Sequence, residues 1–252
     1  MEIYNMPLPK IEFITYDVNV PSTKEQIKIR PFLVKEQKIL LTALAGEDSL
    51  EMSNAMIQVV NNCIVTPGVD VNKLTVFDLE YLMLQLRIVS VGENTKLAFY
   101  GIPDAECEEC RKERVVDVNL KKVQVDFSQE KETKVEITDS IGAILKYPSH
   151  KMLAQYNNES DAESAEKQAN ADIKLMWSCI ESVYDGENVT STKDISLQEG
   201  IEFIESLSTS QYDKLQEFID GMPKLSHKIT LKCSSCDYKE STTIEGLKSF
   251  LA

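Results

Sequence analysis

Cys107-Glu-Glu-Cys110 and Cys233-Ser-Ser-Cys236 decide how this chain reads. Each is a Cys-x-x-Cys set between runs rich in β-branched residues. Residues 95–100 lead into the first pair and 114–120 leave it; residues 228–232 lead into the second and 239–244 leave it. Strand, cysteine pair, strand is the order of a zinc-ribbon knuckle, and two knuckles supply the four thiolates of one tetrahedral site. Between Cys110 and Cys233 lie 122 residues, far more than a ribbon loop holds. The expectation is a discontinuous ribbon-like β region, residues 93–137 and 226–252, with a helical insertion at 138–225. Structural zinc on Cys107, Cys110, Cys233 and Cys236 is the reading this pattern favours. The competing reading is four unligated thiols in hairpins held by packing. Arg111 and Asp237 follow the second cysteine of each pair, where knuckles usually carry glycine or another residue tolerant of left-handed backbone. A redox role is weaker, because neither pair opens a helix after a strand, where a thiolate is activated. Four cysteine ligands leave no open position for catalysis.

Charge narrows the partners. The 252 residues carry a formal net charge of -14, and nucleic acids and anionic membranes select for clustered Lys and Arg instead. Arg111-Lys-Glu-Arg114 with Lys121 and Lys122 is broken by acids. No apolar run is long enough to cross a membrane. The N-terminus, Met1-Glu-Ile-Tyr-Asn-Met-Pro, has neither the basic nor the apolar region of a signal peptide. The expected compartment is therefore reducing, which favours metal over disulfide. Cys63 and Cys179 fall in apolar helical patterns and read as buried small hydrophobes.

The rest of the chain reads as α+β. Residues 11–20 alternate, Pro21-Ser-Thr turns, and 26–30 return, giving an N-terminal hairpin. Arg30-Pro-Phe-Leu33 leads into a helix with Ile39, Leu40, Leu41 and Leu44 at helical spacing, and a second helix spans about 49–63. A third, expected over 71–89, is apolar almost all round and so reads as buried. Hairpin and helices make an N-terminal subdomain, residues 1–92. Within the insertion, residues 155–172 offer almost nothing to bury and read as a flexible polar loop or a frayed helix start. Helices are expected over 173–183, 197–207 and 211–222, and Asp185-Gly-Glu187 reads as a turn.

Little points to catalysis. His150 and His227 lie in different surroundings, His150 as a turn or cap residue and His227 as a substitute metal ligand if one cysteine fails. Most carboxylates sit on solvent faces of helices. There is no phosphate loop, dinucleotide glycine pattern or EF-hand. The expectation is a protein that is not an enzyme. From the residues alone, a zinc-ribbon module binding nucleic acid or a host protein stands as the alternative.

Taken in order, the motifs carry a resemblance. They are Lys28-Ile-Arg-Pro-Phe-Leu-Val-Lys-Glu-Gln-Lys-Ile-Leu-Leu41, Phe77-Asp-Leu-Glu-Tyr-Leu82 with Ser90-Val-Gly92, and the first cysteine pair. Lys146-Tyr-Pro148, Tyr184-Asp-Gly186, Met222-Pro-Lys-Leu-Ser-His227 and the second pair with Gly246-Leu-Lys-Ser-Phe250 follow. This run resembles the T4-type bacteriophage baseplate protein family, the hub and hub-assembly proteins of contractile-tailed phages. The resemblance implies a late protein of the infected bacterial cytoplasm that helps build the baseplate hub. Its partners would be hub proteins, with no nucleic acid and no membrane. It implies either an assembly chaperone acting on hub subunits or a hub subunit retained in the virion, and it brings no catalytic residues.

Overall fold

The computed structural model describes residues 12–46, 48–101, 106–160 and 164–250. The chain opens with the hairpin β1 (Tyr16–Asn19) and β2 (Gln26–Ile29), then α1 (Val34–Ala45), α2 (Ser49–Cys63) and α3 (Val76–Val91). Next come β3 (Asn94–Phe99), the single turn α4 (Glu108–Arg111), β4 (Arg114–Asn119) and β5 (Gln124–Asp126). The insertion holds β6 (Lys134–Glu136), β7 (Ile141–Leu145), α5 (His150–Ser160), α6 (Ala165–Cys179), β8 (Ile180–Asp185), β9 (Asn188–Ser191), α7 (Leu197–Glu205) and α8 (Thr209–Asp220). The chain closes with β10 (Lys224–Lys232), β11 (Lys239–Glu245) and a 3-10 turn, Leu247–Phe250. This is an α+β fold with four small antiparallel sheets among the described residues: β1-β2, β3-β4, β11-β10-β5 and β6-β7-β8-β9.

Two apolar cores hold it. The larger is centred on α3, whose Leu79, Leu82, Leu84 and Leu86 are fully buried. Around it pack Ile27 and Ile29 of the hairpin, Val59 and Val60 of α2, Leu97 and Val118 of β3-β4, and Ile229, Leu231 and Ile244 of β10-β11. The ring of apolar positions read in the sequence is thus matched by neighbours on every side. The smaller core belongs to the insertion and gathers Ala143, Leu145, Met176, Trp177, Ile180, Ile204, Leu215 and Phe218. An aromatic row joins the two: Phe77 of α3 meets Phe127 and Tyr147 edge-on at 5.8 and 5.5 Å, and Tyr147 stacks on Phe218 at 4.6 Å.

The motifs of the N-terminal subdomain are structural. Asp78 is fully buried in the first turn of α3, where it accepts the Thr75 hydroxyl (2.7 Å) and both the N–H (2.9 Å) and hydroxyl (2.6 Å) of Ser22. One carboxylate thus caps the helix and fastens the hairpin turn to it. Arg30 leaves the hairpin and donates to Glu36 of α1 (3.0 Å), to the Asn62 carbonyl at the end of α2 (2.8 Å) and to the Pro31 carbonyl (2.9 Å). A cation at the C-terminus of α2 suits its dipole. Lys146-Tyr-Pro148 docks the insertion: the Val76 N–H donates to the Pro148 carbonyl at 3.2 Å.

Several expectations need correction. The third helix starts at Val76, because Asp70 and Thr75 each cap a separate start and Val71–Lys73 forms a 3-10 turn of its own. The insertion is not purely helical. Its Ile180-Glu-Ser-Val-Tyr run alternates and becomes β8, so the helix expected through residue 183 ends at Cys179. Residues 135–137, read as the end of the ribbon region, begin the insertion's sheet through β6 and its partner β7. The stretch 155–172 is helical on both sides of 161–163, which lie outside the described residues. It finds partners that composition could not show, among them Tyr156, whose hydroxyl donates to Asp172 at 2.8 Å. Leu41 and Leu44 are 59% and 64% exposed rather than core, because α1 lies on α2 through its other face.

Two consequences can be measured. Gly200 of α7 lies against the Trp177 ring, and a Cβ there would sit 2.0 Å from Trp177 Cε2. Gly200→Ala is expected to destabilise the chain by about 2–3 kcal/mol, outweighing the roughly 1 kcal/mol gained in helix propensity. Urea unfolding checks it, and an unchanged or raised midpoint would show that α7 does not rest on Trp177 as described.

Glu80 of α3 accepts the Leu247 N–H and so ties the C-terminal turn to the helix. Burial, opposed by that bond and by Lys248, pushes its pKa from 4.5 up to about 7. The folded chain therefore holds a proton here that the unfolded chain has lost between these values. Glu80's contribution is full below pH 4.5 and declines as the pH rises to about 7. Glu80→Gln needs no proton and is expected to exceed the parent in stability by about 2 kcal/mol at pH 8, with no gain at pH 4. Denaturation midpoints at the two pH values test this; a gap of equal size at both would refute it.

Candidate metal centre

Both cysteine pairs sit at hairpin tips. β3 and β4 pair from Asn94↔Asn119 to Phe99↔Arg114, and α4 with Cys107 and Cys110 crowns that hairpin. β10 and β11 pair from Ser226↔Glu245 to Lys232↔Lys239, with Cys233 and Cys236 in the connection. The bodies of both hairpins are anchored in the larger core through Leu97, Val118, Ile229 and Ile244. β5 bonds to the start of β10 through Lys224↔Asp126, Leu225↔Val125 and Ser226↔Gln124, which ties the two halves together across the insertion.

The tips bring the four sulfurs together. Cys107 Sγ lies 3.8 Å from Cys233 Sγ, Cys110 Sγ lies 3.5 Å from Cys236 Sγ, and all four fall within 4.8 Å of one another. A tetrahedral ion with metal–sulfur bonds near 2.3 Å sets its ligands about 3.8 Å apart. A disulfide requires about 2.05 Å. The 3.5 and 3.8 Å separations suit ligands of one ion and are too long for disulfides, and both run between the hairpins.

Electrostatics agree with that geometry. The Ser235 N–H donates to Cys233 Sγ at 3.4 Å. Backbone donation from Ser235 is the main reason the Cys233 thiol falls to about 6, with neighbouring thiols and the Cys236 N–H adding to it. Burial, then the hydrogen bonds its S–H donates to the other cysteine sulfurs, raises Cys110 to about 12. Four sulfurs this close cannot all ionise alone, because each thiolate opposes the next. A divalent cation removes that opposition, and an all-sulfur donor set suits a soft or borderline metal. Arg114, three residues beyond Arg111, places its guanidinium over the Tyr238 ring at 5.1 Å and so bridges the hairpins. It sets a positive charge next to a centre that would carry a net negative one. The sequence held no signal for this pair beyond an Arg and a Tyr each near a cysteine pair.

Arg111 and Asp237 cost the site nothing in backbone strain. Lys24 is the sole non-glycine residue with positive φ among the described residues. The first knuckle needs no left-handed residue because Cys110 sits in a helical turn, its N–H donating to the Cys107 carbonyl at 3.1 Å. The second loop is closed by the Cys233 N–H on the Tyr238 carbonyl at 3.0 Å. Close approach is needed instead at Gly101, where a Cβ would meet the Arg111 carbonyl oxygen at 2.0 Å. His227 lies on β10 opposite Ile244 and is not among the gathered ligands. His150 opens α5, with its Nδ1 2.8 Å from the Ser53 hydroxyl; burial and Lys248 lower its pKa, so it sits as a neutral packing residue.

Fold and site together define a mixed helix-and-sheet protein whose distant halves are gathered at a four-cysteine centre. The family described as "T4 bacteriophage base plate protein" matches residues 13–252. The chain belongs to that family, and its role is in the phage baseplate. No curated protein and no solved structure was found to match it.

Proposed function

We propose that this chain is a non-enzymatic assembly factor of the baseplate hub, acting on hub subunits while the tail is built. The family match over nearly the whole chain carries this reading. Two features of the surface support a transient role. The net charge of -14 keeps free copies apart, and α1 offers exposed Val34, Leu41 and Leu44 to a partner. Structural zinc on Cys107, Cys110, Cys233 and Cys236 would clasp the two hairpins and supply no chemistry beyond that, since four sulfur ligands fill its coordination. The host cell's cytoplasm is where such a factor works, and other baseplate proteins are its partners.

Quantitative immunoblotting of purified virions, alongside co-purification with hub proteins from infected cells, tests the reading. An assembly factor co-purifies with hub proteins and is absent from finished virions. A stoichiometric band in virions would make it a hub subunit instead.

A further inference from the structure

The two edges of the insertion's sheet differ. At β6, Lys214 of α8 lies across the edge, its Nζ donating to the carbonyls of Glu136 (3.0 Å) and Ile137 (3.2 Å). At the opposite edge β9 pairs with β8 from Ser182↔Ser191 to Asp185↔Asn188, and among the described residues no strand lies on its far side. Asn188, Val189 and Thr190 are exposed. Beside this open edge lies a cavity of about 220 Å³ walled by Trp177, Val183, Ile195 and Phe203. Asn188 and Thr190 of β9 itself line it, and its charged lining groups are the carboxylates of Asp185 and Glu199.

We propose that β9 and this cavity form a docking site for an extended segment of another baseplate protein, added to the sheet as a fifth strand. The identity of that partner rests on the assembly reading above; the recognition chemistry rests on the site. An open edge presents unpaired backbone donors and acceptors, which an extended chain matches and a helix does not. Alternate side chains of the added strand fall on the cavity's face of the sheet. The cavity is too small for a typical organic ligand but holds one side chain of Leu or Phe size. Its carboxylates select Lys or Arg next to that anchor. Glu199 is kept ionised by the hydroxyl and N–H of Ser196, which lower its pKa. A second copy of this chain is disfavoured as occupant, because edge-to-edge pairing would set Asp185, Glu187 and Glu199 against the same acids. With only four residues in β9, the added strand gains few backbone bonds, which suits a partner that is later released.

Trp177 is the chain's single tryptophan and walls the cavity, so its fluorescence reports occupancy. The probe is the end-blocked peptide Thr-Lys-Thr-Leu-Thr-Lys-Thr, whose Leu and both Lys fall on one face of the strand, titrated into the purified full chain. The expected result is a saturable change in emission with a Kd on the order of 0.1 mM. The same peptide N-methylated at alternate amides is expected to bind at least about tenfold more weakly, because it cannot pair with the edge. Asp185→Asn, and separately replacement of both peptide lysines by Glu, should each weaken binding about threefold or more at low salt. No saturable change at millimolar peptide would overturn the proposal. So would equal binding of the N-methylated or Glu-flanked peptide, or concentration-dependent dimers in which Trp177 reports the same change without peptide. A chain that co-purifies with hub proteins but ignores the peptide loses the docking site and keeps the assembly role. The opposite pattern keeps the site and loses the role.

Discussion

Replacing Cys107 or Cys233 by Ser should loosen both hairpin tips, although each substitution touches only one of them. The reason is the shared centre. Cys107 faces Cys233 and Cys110 faces Cys236 across the gap between hairpins, so either loss opens a cage that both tips need. The purified parent is expected to carry about one zinc per chain, and the variants much less. Metal bound only by the folded chain contributes its binding energy to stability, so chelation or substitution should cost roughly 3 kcal/mol or more. Leu97, Val118, Ile229 and Ile244 remain in the larger core, which confines the damage to the tips. Amide exchange is the decisive measurement. Faster exchange in both β3-β4 and β10-β11 is expected; faster exchange in the mutated hairpin alone, or a parent without bound metal, would falsify the clasp.

Glu36→Ala is expected to be the most damaging single change in the N-terminal subdomain. The Glu36 side chain is 0% exposed and the Arg30 side chain 11%. Besides Arg30, Glu36 accepts the Leu33 N–H at 2.9 Å. Removing the carboxylate leaves a guanidinium buried without its counter-charge and a helix start without its acceptor, at a cost of about 3–5 kcal/mol. Arg30→Met with Glu36→Leu should recover much of that loss, because burying two apolar groups costs less than burying one unpaired charge. Equilibrium unfolding of Arg30→Met, of Glu36→Leu and of the double gives the coupling. A double variant whose loss equals the sum of the singles would show that the pair does not act as a unit.

Acid adds a second check on the same pair. Burial alone would raise the Glu36 carboxyl, but the hydrogen bonds from Arg30 and Leu33, with the charges of Arg30 and Lys35, hold it below its usual 4.5. A depressed carboxyl stabilises the fold fully above pH 4.5, and that stabilisation is lost as the pH falls through the lower folded value. The difference between the parent and Glu36→Gln should therefore shrink on acidification; at neutral pH the parent is the more stable of this pair, whereas at Glu80 the Gln variant is.

The buried third helix, the N-terminal hairpin, the two cysteine pairs between strands and their union across a long insertion were all legible from local pattern. Each is a short-range signal: apolar spacing, alternation, turn residues and Cys-x-x-Cys. The family, too, was legible in the order of motifs. What those motifs do was not. Arg30-Pro-Phe-Leu33 and Phe77-Asp-Leu-Glu-Tyr-Leu82 read equally well as core or as partner surface. Only the fold puts Glu36 and Asp78 out of water and gives Arg30 the end of α2 to close.

The insertion shows why pattern runs out. Residues 155–172 have few apolar side chains, yet Tyr156, Gln168 and Asp172 bond to one another once α5 and α6 pack, and helix follows. Leu41 and Leu44 carry core spacing, but which face of α1 meets α2 is set by packing, and they end up in solvent. By itself the sequence determined that four thiols would meet and where strands would carry them, because ligand type and strand pattern are local properties. The tertiary structure alone decided the 3.5–3.8 Å sulfur pairs across the hairpins, the Arg114–Tyr238 contact beside them, and a sheet edge left open next to an acidic cavity. These depend on distances between residues far apart in the chain, and such distances are set only when both cores have closed.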